Sequence, residues 1–185
     1  MAWVWVIAAV LLAVGAWAAV AYNRLVRLRN QVRTAWADID VQLTRRHDLV
    51  PQLVASVKAY AAHESALLET VTGWRARALG ARGAAQLGQV ESQLEQALTR
   101  VVGLQEDYPD LKASGSFSQL QRGLVEVEEH LQYARRFYNG AVRDYHNAVQ
   151  RVPDRLVAKA AAFEQAEFFQ AADSAGAAVA VELSP

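Results

Sequence analysis

A chain of 185 residues has the length of one compact domain. It contains no cysteine, which excludes disulfide scaffolds, thiol nucleophiles, iron–sulfur clusters and cysteine zinc sites together. Its 19 Lys and Arg balance 19 Asp and Glu, and a neutral chain is a poor generic ligand for nucleic acid.

The first element is apolar. Residues 2–22 carry no charged side chain, and the first charge is Arg24. About 20 apolar residues at 1.5 Å each cross a hydrocarbon core of ~30 Å, so residues 1–22 are expected to form a transmembrane anchor. A cleaved signal peptide would need basic residues ahead of a shorter apolar run, and none precede it here. Arg24, Arg27, Arg29 and Arg33 follow the apolar run closely. By the positive-inside rule they put the N-terminus outside and the following domain in the cytoplasm, with the four arginines against lipid headgroups. The charge asymmetry extends further: residues 1–82 hold ten bases and five acids, whereas residues 83–185 hold nine bases and 14 acids.

Beyond the anchor, apolar residues recur at steps of three and four, the period of helices with one buried face. Leu25, Leu28, Val32, Trp36, Ile39 and Leu43 form one stripe, in which Trp36 is expected to lie under the other helices. A second runs from Val50 through Val57 and Leu67 to Trp74, and a third from Leu87 through Leu94 and Val101 to Leu111. The fourth contains Phe117, Leu120, Leu124, Val127, Leu131, Ala134, Tyr138, Ala141, Tyr145 and Ala148. The expected fold is therefore all-α: an N-terminal transmembrane helix continuing into an antiparallel four-helix bundle over residues 23–170, with a short fifth helix after it. No Gly or Pro interrupts the chain between Gly15 and Pro51, so the anchor can enter the bundle without a break. Arg45 and Arg46 suit a helix C-terminus, with Asp48 capping a second helix and Pro51 in its first turn; a kinked continuous helix is the alternative. Gly80 and Gly83 bracket the second joint, and Ser116 with Gln119 reads as a capping box for the fourth helix. Val152-Pro153 stops that helix, Asp154 starts the fifth, and Phe163, Phe168 and Phe169 are expected to lie on it. Residues 171–185 are expected to form a disordered tail.

Catalytic constellations are hard to assemble from these residues. No Gly-x-Ser-x-Gly elbow, phosphate-binding Gly-x-x-x-x-Gly-Lys loop or Glu-x-x-His pair occurs, so no enzyme activity, metal or cofactor is expected. Asp38 and Asp40, two apart on a helix, point to different faces and make no carboxylate pair. Polar residues embedded in the stripes are the remaining candidates. Trp36, Asp38, Asp40, Arg45 and Arg46 lie together on the first stripe, and Tyr138-Asn139 and Tyr145-His146 recur seven apart on the fourth. They read either as a hydrogen-bonded layer that fixes helix register or as a groove for a partner peptide.

Several blocks resemble one family. Tyr22-Asn23-Arg24-Leu25-Val26, Ala35-Trp36-Ala37-Asp38-Ile39-Asp40-Val41-Gln42-Leu43, Arg45-Arg46-His47-Asp48-Leu49-Val50-Pro51-Gln52-Leu53-Val54 and Val57-Lys58-Ala59-Tyr60-Ala61-Ala62-His63-Glu64 look like the LemA family. So do Tyr108-Pro109-Asp110-Leu111-Lys112-Ala113 and Tyr138-Asn139 with Val142 and Tyr145. The chain departs from the family pattern at His146, at Val152-Pro153 and at Ala162-Phe163, where relatives carry Asn, Phe-Pro and Gly-Phe. The resemblance implies a bacterial single-pass inner-membrane protein with a helical domain and no established activity. The expected function is that of a membrane-anchored, non-catalytic scaffold of the cell envelope that contacts membrane lipid and self-associates or binds a protein partner. The alternative is a sensor or regulator that takes a peptide in the groove of the fourth helix.

Overall fold

Residues spaced by three and four become helices throughout this chain. The computed structural model describes residues 1–169, and among the described residues all regular structure is helical. α1 spans Ala2–Lys58, α2 Ser65–Gly80, α3 Ala84–Gly103, α4 Pro109–Lys112, α5 Gly115–Gln150 and α6 Asp154–Ala160, with 3-10 turns at Ala62–Glu64 and Leu104–Glu106. An apolar N-terminal helix thus continues into a helical domain, and a short helix follows α5. The expected tail at residues 171–185 lies outside the described residues.

The chain divides into two compact units that each take part of α1 and part of α5. The second unit holds Thr44–Val127 with Phe169. Here the end of α1, all of α2 and α3, and the start of α5 enclose an apolar core. Val50, Leu53 and Val57 of α1 meet Leu68 and Val71 of α2, Leu94 and Val101 of α3, and Phe117 of α5. Each such side chain contributes about 1.5–3 kcal/mol on burial. A Cβ on Gly123 of α5 would stand 3.4 Å from Leu49 Cδ1 of α1, so the absent side chain lets these two helices approach.

Of the two readings of residues 45–51, a turn or a continuous helix, the continuous helix holds. α1 runs through Pro51 to Lys58, and the chain reverses at residues 59–64 instead. A proline inside a helix deprives the carbonyl four residues back of its donor; for Pro51 that carbonyl belongs to His47. Arg75 of α2 supplies the replacement, its Nε–H donating to His47 O at 2.8 Å. The other joints follow the local chemistry. Gly83, at φ 79°, makes the left-handed turn between α2 and α3. α5 starts two residues earlier than the expected capping box: Ser114, not Ser116, caps it, accepting the Phe117 N–H on Oγ at 3.4 Å.

The first unit holds Met1–Leu43 and Glu128–Phe168. The early part of α1 and the late part of α5 run antiparallel, so Arg24 meets Asp154 just past α5 and Trp36 meets Tyr138. Leu25, Val32, Ala35 and Ile39 of α1 are buried, as are Leu131, Tyr138, Ala141, Val142 and Tyr145 of α5. Trp36 is only half-buried; α5 covers it through the Tyr138 ring, with centroids 5.3 Å apart, and the expected cover by three other helices is corrected.

The expectation that Phe163, Phe168 and Phe169 lie on the fifth helix is also corrected. α6 stops at Ala160, and residues 163–169 follow as an irregular segment. The stop is chemical. Ala162 takes φ 51°, its N–H donates to Lys159 O at 3.3 Å, and the Phe163 N–H donates to Ala158 O at 2.9 Å. That pair of bonds is a Schellman cap, with Ala162 in the left-handed position usually filled by glycine. A side chain there costs about 1–2 kcal/mol, whereas glycine's freedom in the unfolded chain returns roughly 0.5–1 kcal/mol of that. Ala162→Gly should therefore stabilise the chain by about 0.5–1 kcal/mol in chemical denaturation; a destabilised variant would show that α6 does not end on this cap.

Candidate interaction surface

In the second unit, two residues of α1 and one of α3 place charge where only apolar residues are expected. Arg46, His47 and Glu91 are buried, Glu91 completely. One carboxylate oxygen of Glu91 accepts from Arg46 at 3.0 Å and the other from His47 Nε2–H at 2.7 Å. Buried charge is costly without partners, and removing one member of such a pair costs more than the pair contributes. The cluster therefore fixes the rotation of α1 against α3. Arg46, expected at a helix end, is in the core. Arg45 is exposed and makes a two-pronged bridge to Glu126 at 3.3 and 2.8 Å, a surface contact worth no more than ~1 kcal/mol. Glu91 was missed by sequence reasoning, although it stands three residues before Leu94 and four after Leu87, in line with the third stripe.

In the first unit, the repeated tyrosines face inward and hold the chain's own C-terminal segment. Tyr138 donates its hydroxyl to Glu167 O and Tyr145 to Glu164 O, each at 2.7 Å. His146 Nε2–H donates to Ala166 O at 2.8 Å, and its ring meets that of Phe168 edge-on at 5.3 Å. Burial, with the Glu167 carboxylate adding to it, raises the Tyr138 pKa above 10; burial raises that of Tyr145 too, against the opposing charge of Arg29. Both hydroxyls thus keep the protons they donate. Asn139, beside Tyr138, is half-buried.

A neighbouring side of α5 is different. Tyr133 is 68% exposed and Phe137 51%. With Asp38, Val41 and Gln42 of α1, and His130 and Ala134 of α5, they line an open groove of about 330 Å³. Of the candidates Trp36, Asp38, Asp40, Arg45 and Arg46, Asp38 lines this groove; Asp40 is exposed elsewhere on α1. Tyr133 and Phe137 were not singled out by the sequence pattern, yet the signal was present: both are aromatic residues lying off the buried stripe Leu131, Ala134, Tyr138.

The arginines beyond the apolar run have distinct surroundings. Arg24 bridges to Asp154 at 3.1 Å, and the Arg29 guanidinium lies 5.0 Å above the Phe163 ring. Arg27 and Arg33 are exposed. Among the described residues one helix, α1, is long and apolar enough to cross a membrane. Trp3, Trp5, Ile7, Leu11 and Leu12 lie exposed along it, an apolar surface that a bilayer would cover. No three His, Asp or Glu side chains gather as a metal site among the described residues.

The sequence profile of the LemA family matches residues 35–183. The chain is also similar to two magnetosome proteins of Paramagnetospirillum magneticum, MamQ 1 and MamQ 2, each 23% identical over 175 residues, covering 80% of this chain and 64% of the relative. Magnetosome protein MamQ of Magnetospirillum gryphiswaldense is 20% identical over 174 residues, with the same coverage, 80% and 64%. The chain thus spans slightly less than two thirds of the length of these curated relatives.

Replacing Glu91 with Ala strands the Arg46 charge in the core and should cost about 3–5 kcal/mol. The double replacement Arg46→Met with Glu91→Leu should cost several kcal/mol less than the two single changes added together. Additive losses in a denaturation cycle would show that the two side chains act independently.

Proposed function

The chain belongs to the LemA family, and we propose that it is a non-catalytic, membrane-anchored scaffold of the bacterial cell envelope, working through self-association or a protein partner. The observation that carries this reading is the exposed groove on α1 and α5, where Tyr133, Phe137 and Val41 remain uncovered beside Asp38 and His130. Aromatic residues at a polar rim are the composition of protein interfaces. Several buried ionisable groups support the non-catalytic part: Arg46 and His47 both bond to Glu91, Asp154 bridges to Arg24, and the two buried tyrosines bond to backbone carbonyls. The names of its relatives, magnetosome proteins, accord with a place at a membrane.

The alternative is a sensor or regulator that binds a peptide through Tyr138, Asn139 and Tyr145. It is less well supported, because residues 163–168 already accept the hydrogen bonds that such a peptide would need. A peptide would have to displace a segment held by three side-chain donors.

Arg24, Arg27, Arg29 and Arg33 support an inner-membrane protein with its N-terminus outside and its helical domain in the cytoplasm. A reporter active only in the cytoplasm should work when fused after Pro185, and periplasmic reporter activity there would reverse this orientation. A photoreactive phenylalanine analogue placed at Tyr133 or Phe137 in native membranes should form adducts with a second copy or one discrete protein. The same analogue at exposed Leu79 is the comparison; equal, diffuse labelling at all three positions would remove the groove as the interaction surface.

A further inference from the structure

The corner between α5 and α6 is apolar and basic at once, and it stands at the base of the anchor. Val152 is 74% exposed and Leu156 65%. Arg151, Arg155 and Lys159 alternate with them in sequence and are exposed as well. The one acid of the corner, Asp154, is buried and bridged to Arg24 at 3.1 Å. That bridge sets the height. Arg24 follows Tyr22, the last residue of the apolar run, by two positions, about 3 Å along a helix. The Tyr22 ring itself meets the ring of Phe163, just beyond α6, at 5.7 Å, and Ala21 is buried. The corner is therefore level with the end of the anchor. At this level Arg24, Arg27, Arg29, Arg151, Arg155 and Lys159 outnumber Asp154 and the exposed Glu164 beside Phe163.

We propose that the α5–α6 corner is a second membrane contact: Val152 and Leu156 enter the headgroup–acyl boundary of the leaflet from which α1 emerges, while Arg151, Arg155 and Lys159 bind its anionic headgroups. The proposal rests on the reading of α1 as an anchor. Two observations select a bilayer as the occupant. The corner is continuous with a helix whose apolar surface requires lipid, and its cations complement anionic headgroups, each strengthening attachment about fivefold near the surface. Apolar residues in such a position reach ~5–10 Å into the boundary. The contact would hold the first unit against the leaflet at two points rather than one.

The absence of cysteine permits a direct test on the full chain. Single Val152→Cys, Leu156→Cys, Tyr133→Cys and Leu12→Cys variants, each carrying an environment-sensitive fluorophore, are reconstituted into phosphatidylcholine vesicles with and without phosphatidylglycerol. In anionic vesicles the labels at 152 and 156 should be quenched by nitroxide lipids and shielded from iodide. The label at 133, about 28 Å further along by its level with Val41 of α1, should show the reverse. Arg151→Gln, Arg155→Gln and Lys159→Gln together should return lipid quenching at 156 to its level in neutral vesicles. If labels at 152 and 156 are as open to iodide as the one at 133 while Leu12→Cys is lipid-quenched, the second contact is wrong and the anchor stands. Shielding from both quenchers would mean that protein covers the corner, and would also overturn it. A label at Leu12 that lipid does not quench would remove the anchor reading and the proposal with it.

Discussion

A carboxylate shut away from water must be met by donors on every open side, and Glu91 imposes that condition on the second unit. Desolvating each ion costs several kcal/mol, so the arrangement persists only where Arg46 and His47 both reach it. One residue of slip turns a helix by about 100° and removes both donors. The same stretch of α1 carries Pro51, and the carbonyl that it orphans is recovered by Arg75. The polar bonds of residues 46 and 47 thus tie α1 to α3 and to α2, while the apolar core around Val50 and Leu53 supplies non-directional cohesion. Apolar packing tolerates small rotations; the charge cluster does not.

The first unit meets its constraint differently. Two amphipathic helices alone bury too little to hold a segment without regular structure, and residues 163–168 are retained by hydrogen bonds to their main chain. Tyr138, Tyr145 and His146 read carbonyl oxygens, so the backbone path matters more than the side chains along it. Phe163 adds packing at the other end, against Tyr22 and under Arg29. α5 consequently carries aromatic residues in two different settings. Tyr138 and Tyr145 are satisfied within the chain, whereas Tyr133 and Phe137 are exposed.

These features accord with a membrane-associated LemA-family protein. The long apolar helix presents side chains that water would not tolerate, and cations follow it directly. Arg24 and Arg29 are each engaged with the segment after α5, so part of the basic cluster has a structural use besides any effect on topology.

Local chemistry was enough to read the all-α class, the membrane-length apolar run, the Gly80–Gly83 joint and the stop before Asp154, because period, charge and turn residues act over a few positions. It left the first reversal open between a turn and a continuous helix. Arg45, Arg46 and Pro51 look like a helix end when only neighbours are considered, and only the folded chain brings Glu91 to Arg46 and Arg75 to the His47 carbonyl. It ran α6 on through the phenylalanines, since an alanine in a left-handed cap carries no signal in composition. It identified Tyr138 and Tyr145 as exceptional but left open what they bond, and the answer came from carbonyls at residues 164 and 167. Periodicity determines which face of a helix is buried; which donor meets which acceptor across that face depends on residues far apart in sequence, and tertiary structure alone decides it.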